Sequence, residues 1–314
     1  MTTKRFNQIT ERITKKITAF LDKGIIPWQQ PWVGGFANRP RSVSSNKVYR
    51  GVNLALLSCA GFTSPWWMTF HQAGKLGGTV KKGSASLPVC YWKFHDKEDC
   101  KKCDGSKPDC WFCKGTGKYT PYPTLFSFNV FNAEQVEGLP AKYYETIEDE
   151  KGCEFNPIEK AEEIVSNYKN APEISHDQSH KNFYRKSSDE IHLTPEDSFI
   201  SPEECYSVKF HEMIHSTGHE DRLDRESLTD AHFFGDTEYS KEELVAEMGS
   251  AFLCGLSGIA TKEVIKNSAA YLQGWKSKLE ENTDWIVWAG SQAQKGVDHI
   301  LGTEYSDDNT KGDK

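Results

Sequence analysis

Two histidines four residues apart, His211 and His215, with Glu212 beside the first, constrain this chain more than any other stretch. On an α-helix, residues i and i+4 share a face, so both imidazoles can meet one ion while the glutamate reaches a neighbouring water. Imidazole and carboxylate donors suit Zn2+, and a site of this kind with an open coordination position points to metal-assisted hydrolysis. A helix is predicted over residues 203–215, where Cys205, Val208, Met213 and Ile214 supply apolar contacts and Gly218 follows as a stop.

The third ligand is sought downstream. Residues 240–256 predict a second helix, with Ser240 as N-cap and Glu243 three residues on, in a capping-box position. Glu243 and Glu247 lie one turn apart, and Glu247 is embedded in the apolar run 244–253, where a carboxylate is costly to bury unless it is paired or bound to metal. One of them is expected to bind the ion and the other to orient a ligand histidine, and spacing leaves the assignment open. His219 is a further candidate, set beyond the glycine.

The rest of the chain predicts a second module. Residues 1–142 hold 21 Lys and Arg against 9 Asp and Glu, whereas residues 143–314 hold 17 against 36. A basic half joined to an acidic one makes the first half the candidate for nucleic acid. That half opens with a helix in which Ile9, Ile13, Ile17 and Leu21 recur at helical spacing, ended by Gly24 and Pro27. Trp28 and Trp32 then precede a polar loop carrying Arg39, Arg41 and Lys47, which ends in Tyr49, Arg50 and Asn53, with Lys81 and Lys82 further on. Aromatic rings interleaved with cations suit single-stranded DNA, because rings stack on bases while cations follow phosphates. The two tryptophans would serve equally as core residues beneath the loop. An apolar helix is predicted over 54–59, and strands over 87–93 and 124–131 are expected to pair. A further strand is predicted over 190–193, where an extended peptide could add at the edge.

Between the paired strands, Cys100 and Cys103, then Cys110 and Cys113, form two C-x-x-C pairs within an insertion spanning 94–120. Two such pairs fill a tetrahedral Zn2+ site and predict a structural knuckle. The other cysteines, Cys59, Cys90, Cys153, Cys205 and Cys254, are expected to pack as small apolar residues. Residues 143–158 are acidic and weakly patterned and predict a linker, 159–302 a second domain, and 303–314 a disordered tail. Hydrophobic residues make up 37% of the chain, and no run is long and apolar enough to span a membrane. With no signal-peptide core either, a cytoplasmic location is expected.

These stretches together resemble the ArdC-type antirestriction proteins of plasmids and phages. The resemblance runs through residues 23–28, 49–53, 64–70, 81–83, 91–93 and 130–135, and continues through 189–195, 210–219, Arg222-Leu223 and 242–247. It departs at Ser84-Ala85-Ser86 and in the cysteine insertion. It implies an α+β protein: an N-terminal α/β domain that binds single-stranded DNA, and a C-terminal zincin-like metallopeptidase domain. It also implies protection of incoming DNA from host restriction, with Zn2+ held by His211, His215 and a glutamate of the second helix and Glu212 as catalytic base. Tyr239 and Arg222 are, by the same resemblance and by proximity, candidates to stabilise an oxyanion or position a substrate, which would be a host protein. The alternative is a protein that occludes single-stranded DNA and whose metal site turns nothing over.

Overall fold

The structure is a computed structural model and describes residues 3–29, 38–103, 107–145, 156–228, 237–259 and 269–303. Trp32, Cys153, most of the expected linker and nearly all of the expected tail lie outside the described residues.

The first helix, α1 (Thr3–Leu21), buries Ile9, Ile13, Ile17 and Leu21 as one stripe, the four-residue repeat of a helix with a single apolar face. Gly24, at φ 74°, turns the chain after it. There follow β1 (Arg41–Ser42), α2 (Gly51–Ser58), β2 (Trp66–Met68), α3 (Phe70–Lys75), β3 (Thr79–Val80) and β4 (Leu87–Lys93). The insertion contributes β5 (Glu98–Asp99) and β6 (Lys118–Tyr119), after which come β7 (Thr124–Asn132) and β8 (Val136–Glu137). The main sheet has the order β1-β2-β7-β4, and β4 pairs antiparallel with β7 from Leu87 opposite Val130 to Lys93 opposite Thr124. The pairing predicted around the insertion is therefore present. The helix expected over 54–59 begins earlier, at Gly51, which brings Asn53 inside it.

The second half contains α4 (Pro157–Asn167), β9 (Glu173–Ser175), β10 (Phe183–Arg185), β11 (Glu190–His192), α5 (Pro202–Ser216), α6 (Thr237–Ser257), α7 (Ala269–Glu281) and α8 (Trp285–Leu301). Its sheet runs β10-β11-β9, so the strand expected to be an edge is central. The edge facing α5 is β10, in a stretch whose polarity masked the pairing of Phe183 and Tyr184 with His192 and Ile191. Ser201 caps α5 by accepting from the Glu204 N–H, and Pro202 occupies its first turn, where a missing N–H costs nothing. The other helix starts before Ser240, so the capping box expected there does not form. Ser240 instead accepts a hydrogen bond from Lys278 Nζ at 2.9 Å.

α5 and α6 pack closely, the Ile214 side chain lying on the Gly249 backbone: a Cβ on Gly249 would lie 2.6 Å from Ile214 Cδ1. α8 meets α2 backbone to backbone, since a Cβ on Gly290 would lie 2.6 Å from the Val52 nitrogen. One apolar core then runs through both halves of the chain, joining α1 and α2 to α5, α6, α7 and α8. Polar ties follow it, with the Thr14 hydroxyl donating to the Thr283 carbonyl at 2.8 Å and Arg50 paired with Asp298. The halves thus differ in charge while sharing their packing. No described helix is long and apolar enough to cross a membrane.

Candidate functional site

His211 and His215 project from one face of α5, one turn apart, and their Nε2 atoms lie 3.1 Å from each other. The third group of the cluster is Glu243 on α6, whose carboxylate oxygens lie 3.5 Å from His211 Nε2 and 3.3 Å from His215 Nε2. Ligands about 2.0–2.1 Å from a tetrahedral ion stand about 3.3 Å apart, so the two imidazoles and the Glu243 carboxylate fit one ion. Glu247, one turn further along α6, does not join the convergent set. Neither does His219, which lies 3.5 Å from Asp221 instead.

The supporting carboxylate is Glu242, a residue the sequence reading missed. Its Oε1 lies 3.4 Å from His215 Nδ1, within reach to accept that nitrogen's proton, and a neutral ring held so would turn its Nε2 lone pair to the ligand position. Glu242 is in turn clamped by Arg225, whose Nη2 and Nε donate at 2.6 and 2.9 Å, and by the Ser227 hydroxyl at 2.5 Å. The same guanidinium donates to the Ile214 carbonyl at 2.8 Å and to Thr217 Oγ1 at 2.9 Å, closing the C-terminal end of α5. Gly218 leaves room for it, since a Cβ there would lie 2.9 Å from Arg225 Nη2. The Glu-Glu pair ahead of an apolar run was the available sequence signal. Arg225 offered none, because it lies in a loop 17 residues from its partner.

Burial pushes the His215 imidazolium down, but hydrogen bonds to Glu242 and Glu243 outweigh it and lift the ring to about 10. Burial also opposes the charge on Glu242, yet Arg225 holds its carboxyl down at about 2. Glu243 is likewise held far below the carboxylate range, against burial, by the two imidazoles. Three carboxylates, Glu212, Glu242 and Glu243, line the cavity with Lys186, and Arg225 stands behind Glu242, which leaves the group negative when the imidazoles are neutral. A divalent cation would supply the missing charge. The cavity has a volume of about 180 Å3 and is walled by β10 through Phe183 and Tyr184, with Asn182, Ser227 and Leu228 around it. Glu212, buried on α5, lines it beside the ligands.

Arg222 is elsewhere. Its guanidinium pairs with Asp189 and donates to the Ser216 carbonyl at 2.7 Å and the Asn170 carbonyl at 3.0 Å, so it ties the sheet to the end of α5 and does not line the cavity. The backbone of Tyr239 belongs to α6, but its side chain lies outside the described residues.

In the insertion, Cys100, Cys103, Cys110 and Cys113 are buried together, with Sγ–Sγ distances of 3.8 Å (Cys100 to Cys110) and 3.5 Å (Cys103 to Cys113). A disulfide needs about 2.05 Å, whereas thiolates about 2.3 Å from a tetrahedral ion stand about 3.8 Å apart. The Cys110 thiol is lowered to about 7, first by a hydrogen bond from the Cys113 backbone.

The residues expected to touch nucleic acid are dispersed. Trp28 is core, 2% exposed and edge-on to Trp275 at 6.0 Å, so it offers no stacking face. The Asn53 amide donates to the Cys90 carbonyl at 2.6 Å and accepts from the Cys90 N–H at 2.9 Å, fixing β4 to α2. Arg39, Lys47, Tyr49 and Arg50 do come together, lining a cavity of about 380 Å3 with Phe252, Leu256 and Val297. Burial, then Arg41 and Arg50, lowers the Arg39 guanidinium to about 10. Arg41 lies 5.5 Å from the centre of the Trp66 ring, Lys81 donates to the Glu134 carbonyl at 2.9 Å, and Lys82 is exposed.

Comparison with known proteins agrees with both halves. Residues 7–131 match the family described as the N-terminal domain of anti-restriction factor ArdC, and residues 159–292 match the zincin-like metallopeptidase family. Two Escherichia coli proteins called DNA primase TraC are 34% and 35% identical over 95% and 94% of this chain, which spans only 27% and 20% of their length. An uncharacterised protein, y4eC, of Sinorhizobium fredii is 30% identical, over 95% of this chain and 94% of its own. Among solved structures, the metal-free antirestriction protein ArdC of plasmid R388 aligns with a TM-score of 0.66 at 26% identity, covering 95% of this chain and 99% of that one. Its Mn(II)-bound form aligns at 0.65 and 27%, covering 94% and 97%. An ArdC-type N-terminal region joined to a zincin-like one, over nearly the full length of such relatives, makes this chain a member of the ArdC antirestriction family.

Proposed function

We propose that this protein protects incoming DNA from restriction by binding it as a single strand and by hydrolysing a host protein at the α5–α6 metal centre. Residues 1–142 form the DNA-binding unit, with a structural Zn2+ in the knuckle at 94–120, and residues 159–302 the peptidase unit. The observation that carries the reading is the convergence of His211, His215 and Glu243 in a cavity that Glu212 and the edge strand β10 also line.

A divalent ion there, Zn2+ by its donor chemistry or Mn2+ as in the R388 relative, supplies a Lewis acid that acidifies water and polarises a scissile carbonyl. Glu212 takes the proton of the attacking water and returns it to the leaving amine. The edge of β10, unpaired among the described residues, accepts an extended peptide as an added strand and holds it against Glu212. Glu242 fixes the His215 ring, while Arg225 and Ser227 fix Glu242. The acidic charge of residues 143–314 disfavours DNA at this end and favours a basic stretch of protein.

The test is protection of transforming DNA from a restriction endonuclease in cells by wild type and Glu212→Ala, with metal content measured on both purified proteins. The variant is expected to keep its metal and lose protection. Full protection with metal retained would assign the role to strand occlusion alone.

A further inference from the structure

Three rings stand in a row on the outer face of the β4–β7 pair. Tyr91 lies parallel to Phe126 and Phe128, with centroids 5.4 and 5.5 Å away and planes within 15° and 4°. Register explains the row: Tyr91 sits directly opposite Phe126, and Phe128 is the next residue of β7 on the same face. Further along that face, Val89 and Val130 turn into the protein against Leu57 and Trp67. The aromatic end remains in solvent, with Tyr91 39% and Phe128 46% exposed.

The exposure is concentrated here. Of the nine large apolar side chains exposed among the described residues, six belong to this hairpin and its insertion: Tyr91, Phe94, Trp111, Phe112, Tyr122 and Phe128. Cations accompany the row. The Arg5 guanidinium lies 5.0 Å from the Phe126 ring centre, and Lys93 is exposed two residues beyond Tyr91 on the same face. Open rings on a sheet, beside cations and within a half carrying 21 basic against 9 acidic residues, match the chemistry of nucleobases stacked along a polyanion.

We propose that the outer face of the β4–β7 hairpin, built on Tyr91, Phe126 and Phe128, is the platform on which bases of single-stranded DNA stack. The proposal rests on the single-strand reading above and moves the stacking contact from the buried Trp28 to the hairpin. Because every base has a π-face, the contact is tolerant of sequence, as protection of arbitrary incoming DNA requires.

The test is anisotropy titration of fluorescein-labelled oligo(dT) over a series of salt concentrations. It compares wild type, Tyr91→Phe, and a double variant, Tyr91→Leu with Phe128→Leu, which keeps apolar bulk at two solvent-facing strand positions. The double variant is expected to bind about 10- to 100-fold more weakly, as for lost base–ring stacking, while Tyr91→Phe stays within about twofold of wild type. The slope of affinity against salt is expected to hold, because no phosphate-neutralising cation is removed. Equal affinity of wild type and double variant overturns the platform while leaving single-strand binding intact. Wild type that binds no oligo(dT) overturns both. A double variant with unchanged DNA affinity but altered sedimentation mass marks the face as a self-association surface and overturns the platform.

Discussion

Around His211, His215 and Glu243 the chain supplies a whole framework, whereas around Cys100, Cys103, Cys110 and Cys113 it supplies little beyond the thiols. The first cluster stands on two long helices packed closely through Gly249, with Arg225, Ser227 and Glu242 behind it and a cavity in front. The second sits between two strands of two residues each, and among the described residues its buried cluster consists of the four cysteines. Three donors facing a cavity leave a position for a reactant; four buried donors leave none. The comparison teaches that one site is shaped by the fold and the other shapes it.

The largest effect is expected where metal replaces a core. Structural zinc contributes about 10–16 kcal/mol to folding in small fingers. Cys103→Ser is expected to cost the knuckle its ion and to strip residues 98–119 of amide hydrogen-exchange protection, while the amides of α5 and α6 stay protected. Protection retained across the knuckle would mean that it packs without metal, and the contrast would collapse.

Next comes the framework behind the histidines. Arg225 and Glu242 are 2% and 4% exposed, and removing one partner of a buried pair typically costs about 3–5 kcal/mol. Arg225→Met should lower global stability in urea by that amount, with the knuckle's zinc content unchanged. A loss below about 1 kcal/mol would show that His215 and Ser227 satisfy Glu242 unaided. Gly249→Ala overpacks Ile214 and is expected to cost about 1–3 kcal/mol, partly recovered when Ile214→Val is added. The smallest effect sharpens the ligand assignment: Glu247→Gln should leave metal affinity at the histidine site unchanged by calorimetry, whereas Glu243→Gln weakens it at least tenfold. Equal losses from both would return Glu247 to the ligand set.

What was legible in the sequence was local. The spacing of His211 and His215 places them on one helix face whatever surrounds them, and paired C-x-x-C motifs need only a short turn each. Glu243 was legible as one of two carboxylates, because helical periodicity cannot say which of two residues one turn apart faces a neighbour. Glu242 escaped because its role depends on Arg225, brought in from a loop by tertiary packing. β10 escaped because three residues within a polar run carry too little alternation to mark a strand. Trp28 and Asn53 were candidate DNA contacts until burial and the Cys90 backbone claimed them. The charge split was real, but it carried no sign that the two halves share a core.

That shared core sets the order of events during synthesis. The α1 hydroxyl of Thr14 meets its carbonyl partner 269 positions later, and the buried isoleucine stripe above it packs against α7 and α8, which are made long after it. At typical elongation rates of about 5–20 residues per second, α1 leaves the ribosome roughly 15–55 seconds before its lid exists. For that interval the stripe is bare apolar surface on a nascent chain, a natural ligand for a holdase chaperone. The first half of the fold is finished only when helices from the second half come back to close it.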